Sequence, residues 1–123
     1  MSTYELIDQV VDVVTAATGR PCGLGVVPTP QPTGTFNIVT YGGGPRPTGD
    51  MGSRTANRDR RFVVRSVGAD EREVQWLKDK AFDALSAPDS LSDTQWAYLE
   101  VDSAIVPDGE TLYSSTDTYI VRV

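Results

Sequence analysis

The 123-residue chain has no histidine, a single cysteine, and aromatic residues at only 8% of its positions. Without histidine it lacks the commonest metal ligand and the commonest general base near neutral pH. With Cys22 alone it cannot form an internal disulfide. Both absences argue against an enzyme, so we expect no catalytic residue, no cofactor and no bound metal. There is no long apolar run either. Met1 is followed at once by a polar helix start, without a basic n-region or an apolar h-region. Neither a signal peptide nor a membrane span is therefore expected, and the chain is expected to be made and used in cytoplasm. The hydrophobic fraction is 39%, somewhat below the globular norm. That suits a protein whose edges find cover in partners, and equally a loop-rich monomer.

The length fits one domain, residues 1–123, with a single core. Net charge is −6, but it is unevenly spread. Between Gly42 and Arg61 stand Arg46, Arg54, Arg58, Arg60 and Arg61 against Asp50 and Asp59, while the rest of the chain holds 6 basic and 15 acidic residues. A basic segment on an acidic body can complement copies of itself or an acidic neighbour, and such complementarity directs association more than it adds affinity.

The periodicity predicts two helices. Ser2 or Thr3 can cap the first, whose apolar stripe runs Leu6, Ile7, Val10, Val11, Val13, Val14 and Ala17, and Gly19 with Pro21 stops it. Gly23 to Val27 reads as a short strand closed by Pro28, Pro30 and Pro32, and so as an edge or a terminus. Phe36 to Tyr41 reads as a second strand, ended by Gly42-Gly43-Gly44-Pro45. The loop at about 42–58 is near the length at which a structureless segment is either functional or disordered, and its arginines favour function.

A β-rich run with Phe62, Val63, Val64 and Val67 then passes through Gly68 into the second helix, about Glu71 to Ser86. Asp70 can cap that helix and Glu73 can complete a capping box. Its buried stripe is Val74, Leu77, Ala81, Ala84 and Leu85. Trp76 lies about 160° around the helix from Val74 and so faces outward. It is either an interface anchor or a ring lying over the rim of the domain. From about Trp96 to Val106, Ala97, Leu99, Val101 and Ile105 alternate with Tyr98, Glu100 and Asp102 as in a half-buried strand. Pro107-Asp108-Gly109 turns the chain, and Thr116 to Val123 pairs back antiparallel. The fold class expected is α+β: a mostly antiparallel sheet of about four to five strands packed by two helices.

Three local patterns invite chemistry and do not sustain it. Gly42-Gly43-Gly44 lacks the remaining residues of a phosphate-binding loop. Glu100 and Asp102, on one face of the expected strand, have no third ligand with which to hold a hard cation. Cys22 has no histidine to activate it, and reads as a small buried or loop residue. The arginines of residues 46–61 can contact phosphates. The acidity of the chain and the lack of aromatics among them favour protein contacts instead.

The strand ending in Val67-Gly68, the short acidic turn at Asp70 and the helix bearing Gln75-Trp76-Leu77 together resemble the tail terminator proteins of long-tailed, siphovirus-type bacteriophages. The resemblance extends to the order of elements along the chain, from a leading helix to a closing strand. It implies a structural protein of the virion, assembled in host cytoplasm as a homo-hexameric ring at the head-proximal end of the tail. The ring would end polymerisation of the tail tube protein and present a surface to a head-completion or neck protein. Genomic DNA would pass through without specific binding, helped by acidic walls. In this frame Arg46, Arg54, Arg58, Arg60, Arg61 and Trp76 are the interface residues expected from charge and exposure. Another head-tail connector or tail-completion protein would share these features. A small cytoplasmic ligand-binding domain or enzyme would instead need a deep pocket with convergent polar groups.

Overall fold

The computed structural model describes residues 3–25, 35–41, 60–88, 90, 91 and 96–121. Along the chain run α1 (Thr3–Thr18), β1 (Cys22–Leu24), β2 (Phe36–Tyr41), β3 (Arg60–Gly68), α2 (Glu71–Ser86), β4 (Tyr98–Val101), β5 (Val106–Asp108) and β6 (Leu112–Val121). The class is α+β, with two helices on a six-stranded, mostly antiparallel sheet. The loop at 42–58 with its glycine triplet, the prolines at 28, 30 and 32, and Val26 and Val27 all lie outside the described residues.

The sheet order is β1-β2-β3-β6-β4, and β5 also pairs with β6. Strand β4 aligns with residues 118–120 of β6 and β5 with residues 112–114. Together they form one interrupted edge, so six strands fill five ranks. Opposite, β1 is the other edge, paired parallel to β2. The long strand β6 lies inside the sheet between β3 and this interrupted edge.

Both helices cover one face of the sheet. Leu6, Ile7, Val10 and Val14 of α1 and Ala81 and Leu85 of α2 pack with Val39, Phe62, Val64, Tyr119 and Val121 in a continuous core. At its centre the Phe62 and Tyr119 rings stack, with centroids 5.5 Å apart and planes within 9°, an arrangement that adds to their burial. Helix α1 ends where Gly19 takes φ +65° and its N–H donates to the Thr15 carbonyl at 2.8 Å, the left-handed stop that glycine permits. Helix α2 starts where the Asp70 carboxylate accepts the Glu73 N–H at 2.9 Å. Glu73 reaches back one residue beyond the usual capping box and accepts the Ala69 N–H at 2.8 Å.

Two expectations fail along the interrupted edge and the helix beside it. The continuous strand predicted from Trp96 to Val106 is broken at residues 102–105, and its register shifts between Leu99 and Val101. Glu100 is the extra residue of a bulge, so Val101 turns to the face opposite Leu99 and is 48% exposed. Alternation continued across a bulge assigns every later residue to the wrong face. For the same reason Glu100 and Asp102 do not share a strand face: Asp102 lies just past the end of β4 and each carboxylate has a different cation. The second correction is in α2, where Lys78 is buried within the apolar stripe and Ala84 is only half-buried.

Candidate functional site

Trp76 faces outward from α2 and is 40% exposed. It borders an open cavity of about 350 Å³ lined also by Arg20, Thr35, Arg72 and Glu73. Its walls come from three separate places in the chain. Arg20 stands just past the glycine stop of α1, Thr35 precedes β2, and Arg72, Glu73 and Trp76 form the first turns of α2. The Pro21 carbonyl accepts the Asn37 N–H at 3.1 Å, which brings the segment after α1 alongside the start of β2. Gly68 lets α2 sit close to the sheet: a Cβ there would lie 2.9 Å from Glu73 Cβ and 3.3 Å from Thr35 Cγ2.

The electrostatics of this cavity are unusual for an acidic chain. Among the described residues, neither the Arg20 nor the Arg72 guanidinium has a carboxylate partner. The Lys80 ammonium stands 6.0 Å from the Trp76 ring centre, one helical turn further on. Glu73 is held by the Ala69 N–H at the positive end of α2. Thr35 is 7% exposed and its hydroxyl has no hydrogen-bond partner among the described residues. The cavity therefore offers cations unpaired among the described residues and an aromatic plate, a combination that suits an anionic group.

A second cavity, about 200 Å³, lies between α2 and the interrupted edge, with Lys78, Phe82, Leu99, Asp102, Asp117 and Tyr119 in its walls. Lys78 Nζ donates to Asp102 Oδ1 at 2.7 Å and to the Ser103 carbonyl at 2.8 Å, and stands 3.6 Å from Asp117 Oδ1. Asp117 also accepts the Ser103 N–H at 3.3 Å, and the Ser115 hydroxyl donates to the Ser103 carbonyl at 2.8 Å. The Lys78 hydrogen bond holds the Asp102 carboxyl below its ordinary value. Burial pushes Asp117 up despite the same ammonium, and burial with the Asp117 charge pushes up the Tyr119 phenol. These groups are engaged with one another and with the backbone of the sheet break, so they act as a clamp.

The residues singled out from sequence are not brought together. Arg46, Arg54 and Arg58 lie outside the described residues, and Arg60 is described only as the first residue of β3. The Arg61 guanidinium donates from Nε to both Glu100 carboxylate oxygens at 3.0 and 3.1 Å. It is thus tied to the sheet edge and lies apart from the Trp76 cavity. Cys22 opens β1, half-buried, where burial pushes its thiol up to about 11. Sequence reasoning missed Arg20, Thr35, Arg72 and Lys78. Only Arg72 carried a local signal, one helical turn before Trp76.

No protein-family model matches the chain, and no curated protein matches it at a significant level.

Proposed function

We propose that this protein is a structural subunit of a bacteriophage virion that caps the tail tube as a closed ring, ends tube polymerisation and forms the joint to the head-completion proteins. The reading rests first on the resemblance to tail terminators carried by β3, the acidic turn and α2. The observation that supports it best is a pair of unlike edges on the sheet, neither covered by a further strand among the described residues. Along β4 and β5, Tyr98, Val101 and Val106 are 46–50% exposed, and along β1, at the opposite end of the strand order, Leu24 is 46% exposed. These edge strands are short, and the β4–β5 side carries a bulge and Pro107, so association would run through the exposed apolar side chains rather than by strand addition. A ring that closes through heterologous contacts needs two different surfaces on opposite sides of each subunit.

In this arrangement each subunit presents the β4–β5 edge to one neighbour and the β1 side to the other. The tail tube protein and the neck protein would meet the two ends of the ring. Arg46, Arg54, Arg58, Arg60 and Arg61 would contact a neighbouring subunit or the tube, and genomic DNA would pass the acidic walls without adhering.

Native mass spectrometry tests the reading, on the purified chain alone and mixed with short tail-tube assemblies at two salt concentrations, with Val101→Lys as the comparison. The expected result is a hexamer, or a monomer that closes into rings only on the tube, with ring formation lost in Val101→Lys while its thermal unfolding is unchanged. A wild-type monomer indifferent to tubes at both salts would overturn the reading in favour of a ligand-binding domain.

A further inference from the structure

We infer that the cavity beside Trp76 receives the Glu110 carboxylate of a second copy of this chain, an inference that rests on the ring reading above. Four acids mark the β4–β5 side: Glu100, Asp102, Asp108 and Glu110. Three are engaged within the subunit, Glu100 by Arg61, Asp102 by Lys78 and Asp108 by Arg65. Glu110 is exposed and has no partner among the described residues. It stands at the tip of the turn between β5 and β6, which Gly109 closes with φ +82°, and so at the sheet's end and exposed. On the opposite side, Arg20 and Arg72 are equally unpartnered among the described residues and converge on one cavity. Each subunit thus carries an unpaired acid on one flank and unpaired guanidinia on the other.

The strand register places the two features at the same end of the sheet. Gly68 pairs with Tyr113 and Phe36 with Val67, while Cys22 pairs with Asn37. Continued by one or two residues, those pairings set Arg20, Thr35, Gly68, Tyr113 and Pro107 in one row across the sheet. The cavity lies over the β1–β3 side of that row, and the Glu110 turn just past its β5 end, beyond the Asp108–Leu112 pair. Rotation of one copy onto the next about an axis along the strands brings them face to face, as a heterologous ring requires. Once there, the carboxylate meets two guanidinia, which bind such groups in a fork. Its methylene stem lies over Trp76.

Charge reversal and its repair test the inference. Arg72→Glu adds an acid to the first turn of α2, which favours the helix, and Glu110→Arg changes an exposed turn tip. Arg72→Gln removes only the charge and serves as a second variant should reversal disturb folding. Each variant is to be mixed with tube assemblies and followed by native mass spectrometry and sedimentation over a concentration series. The expected result is that each single substitution raises the concentration needed for rings by about tenfold or more, as for close interfacial charge pairs, and that Arg72→Glu combined with Glu110→Arg restores it. Wild-type protein that forms no ring overturns the ring reading and this inference together. Wild-type rings that every single variant matches, or single defects that the combined variant fails to repair, overturn the pairing and leave the ring reading standing.

Discussion

Lys78 Nζ lies 2.7 Å from Asp102 Oδ1 and so binds the middle of α2 to the point where the outer edge of the sheet breaks. Its side chain is only 9% exposed, and the neighbouring Asp117 side chain 5%. Removal of the cation strands Asp117 in the interior, and breaking a buried pair costs more than the pair contributes. Lys78→Met is therefore expected to lose about 3 kcal/mol at pH 7 by urea denaturation. Combining it with Asp117→Leu should recover part of the loss. A single variant as stable as wild type would show that the clamp adds nothing to stability.

The clamp also sets a pH dependence. Asp117 has a folded-state pKa raised by burial, so between the unfolded value near 3.8 and that raised value the native state holds more protons than the unfolded state. Stability contributed by this group therefore falls as pH rises through the window. Asp102 has the opposite sign: its lowered pKa gives stability present above 3.8 and lost as pH falls through the folded value. Asp117→Asn removes the first contribution, and the part of the Asp102 shift that its hydrogen bond with Asp117 supplies acts below 3.8, outside this window. The stability of wild type relative to this variant should decline as pH is raised from about 4, read by urea denaturation at half-unit steps, and a constant difference would contradict the assignment.

Gly68 is where β3 hands over to α2. A methyl group added there meets Glu73 Cβ at 2.9 Å and Val74 Cγ2 at 3.3 Å, and a helix β-carbon cannot rotate away. Gly68→Ala is expected to cost about 2 kcal/mol, in the range for overpacking, with reduced helical signal as the first turns of α2 are displaced. A stability equal to wild type would mean that the strand-to-helix junction yields.

Cys22 should be a slow thiol. A pKa near 11 against the ordinary 9.0 leaves about 100-fold less thiolate at about pH 8, since each unit is a tenfold change. Iodoacetamide is accordingly expected to label the native chain far more slowly than the urea-unfolded chain, as tracked by intact mass. Equal rates would place the thiol in water.

Much of the backbone was legible because its determinants are local. The limits of α2 come from the Asp70 cap and Pro88, those of β2 from a β-branched and aromatic run before glycines, and the end of α1 from Gly19. Trp76 pointed outward by helical angle alone. The site was less legible, because it depends on which distant residues meet. Arg20 and Thr35 are separated in sequence from Arg72, and each reads in isolation as an ordinary surface or loop residue.

By itself the sequence determined one domain, two helices of known facing and an electrically divided chain, since caps, periodicity and charge act over a few residues. The tertiary structure alone decided that β6 lies inside the sheet, that Lys78 is buried, and that the last edge breaks at Asp102. It also decided which charges remain unpaired. Those outcomes depend on strand register and on long-range pairing. A single bulge at Glu100 reverses the facing of every later residue in its strand, and a buried cation is tolerated only because Asp102, Ser103 and Asp117 arrive around it.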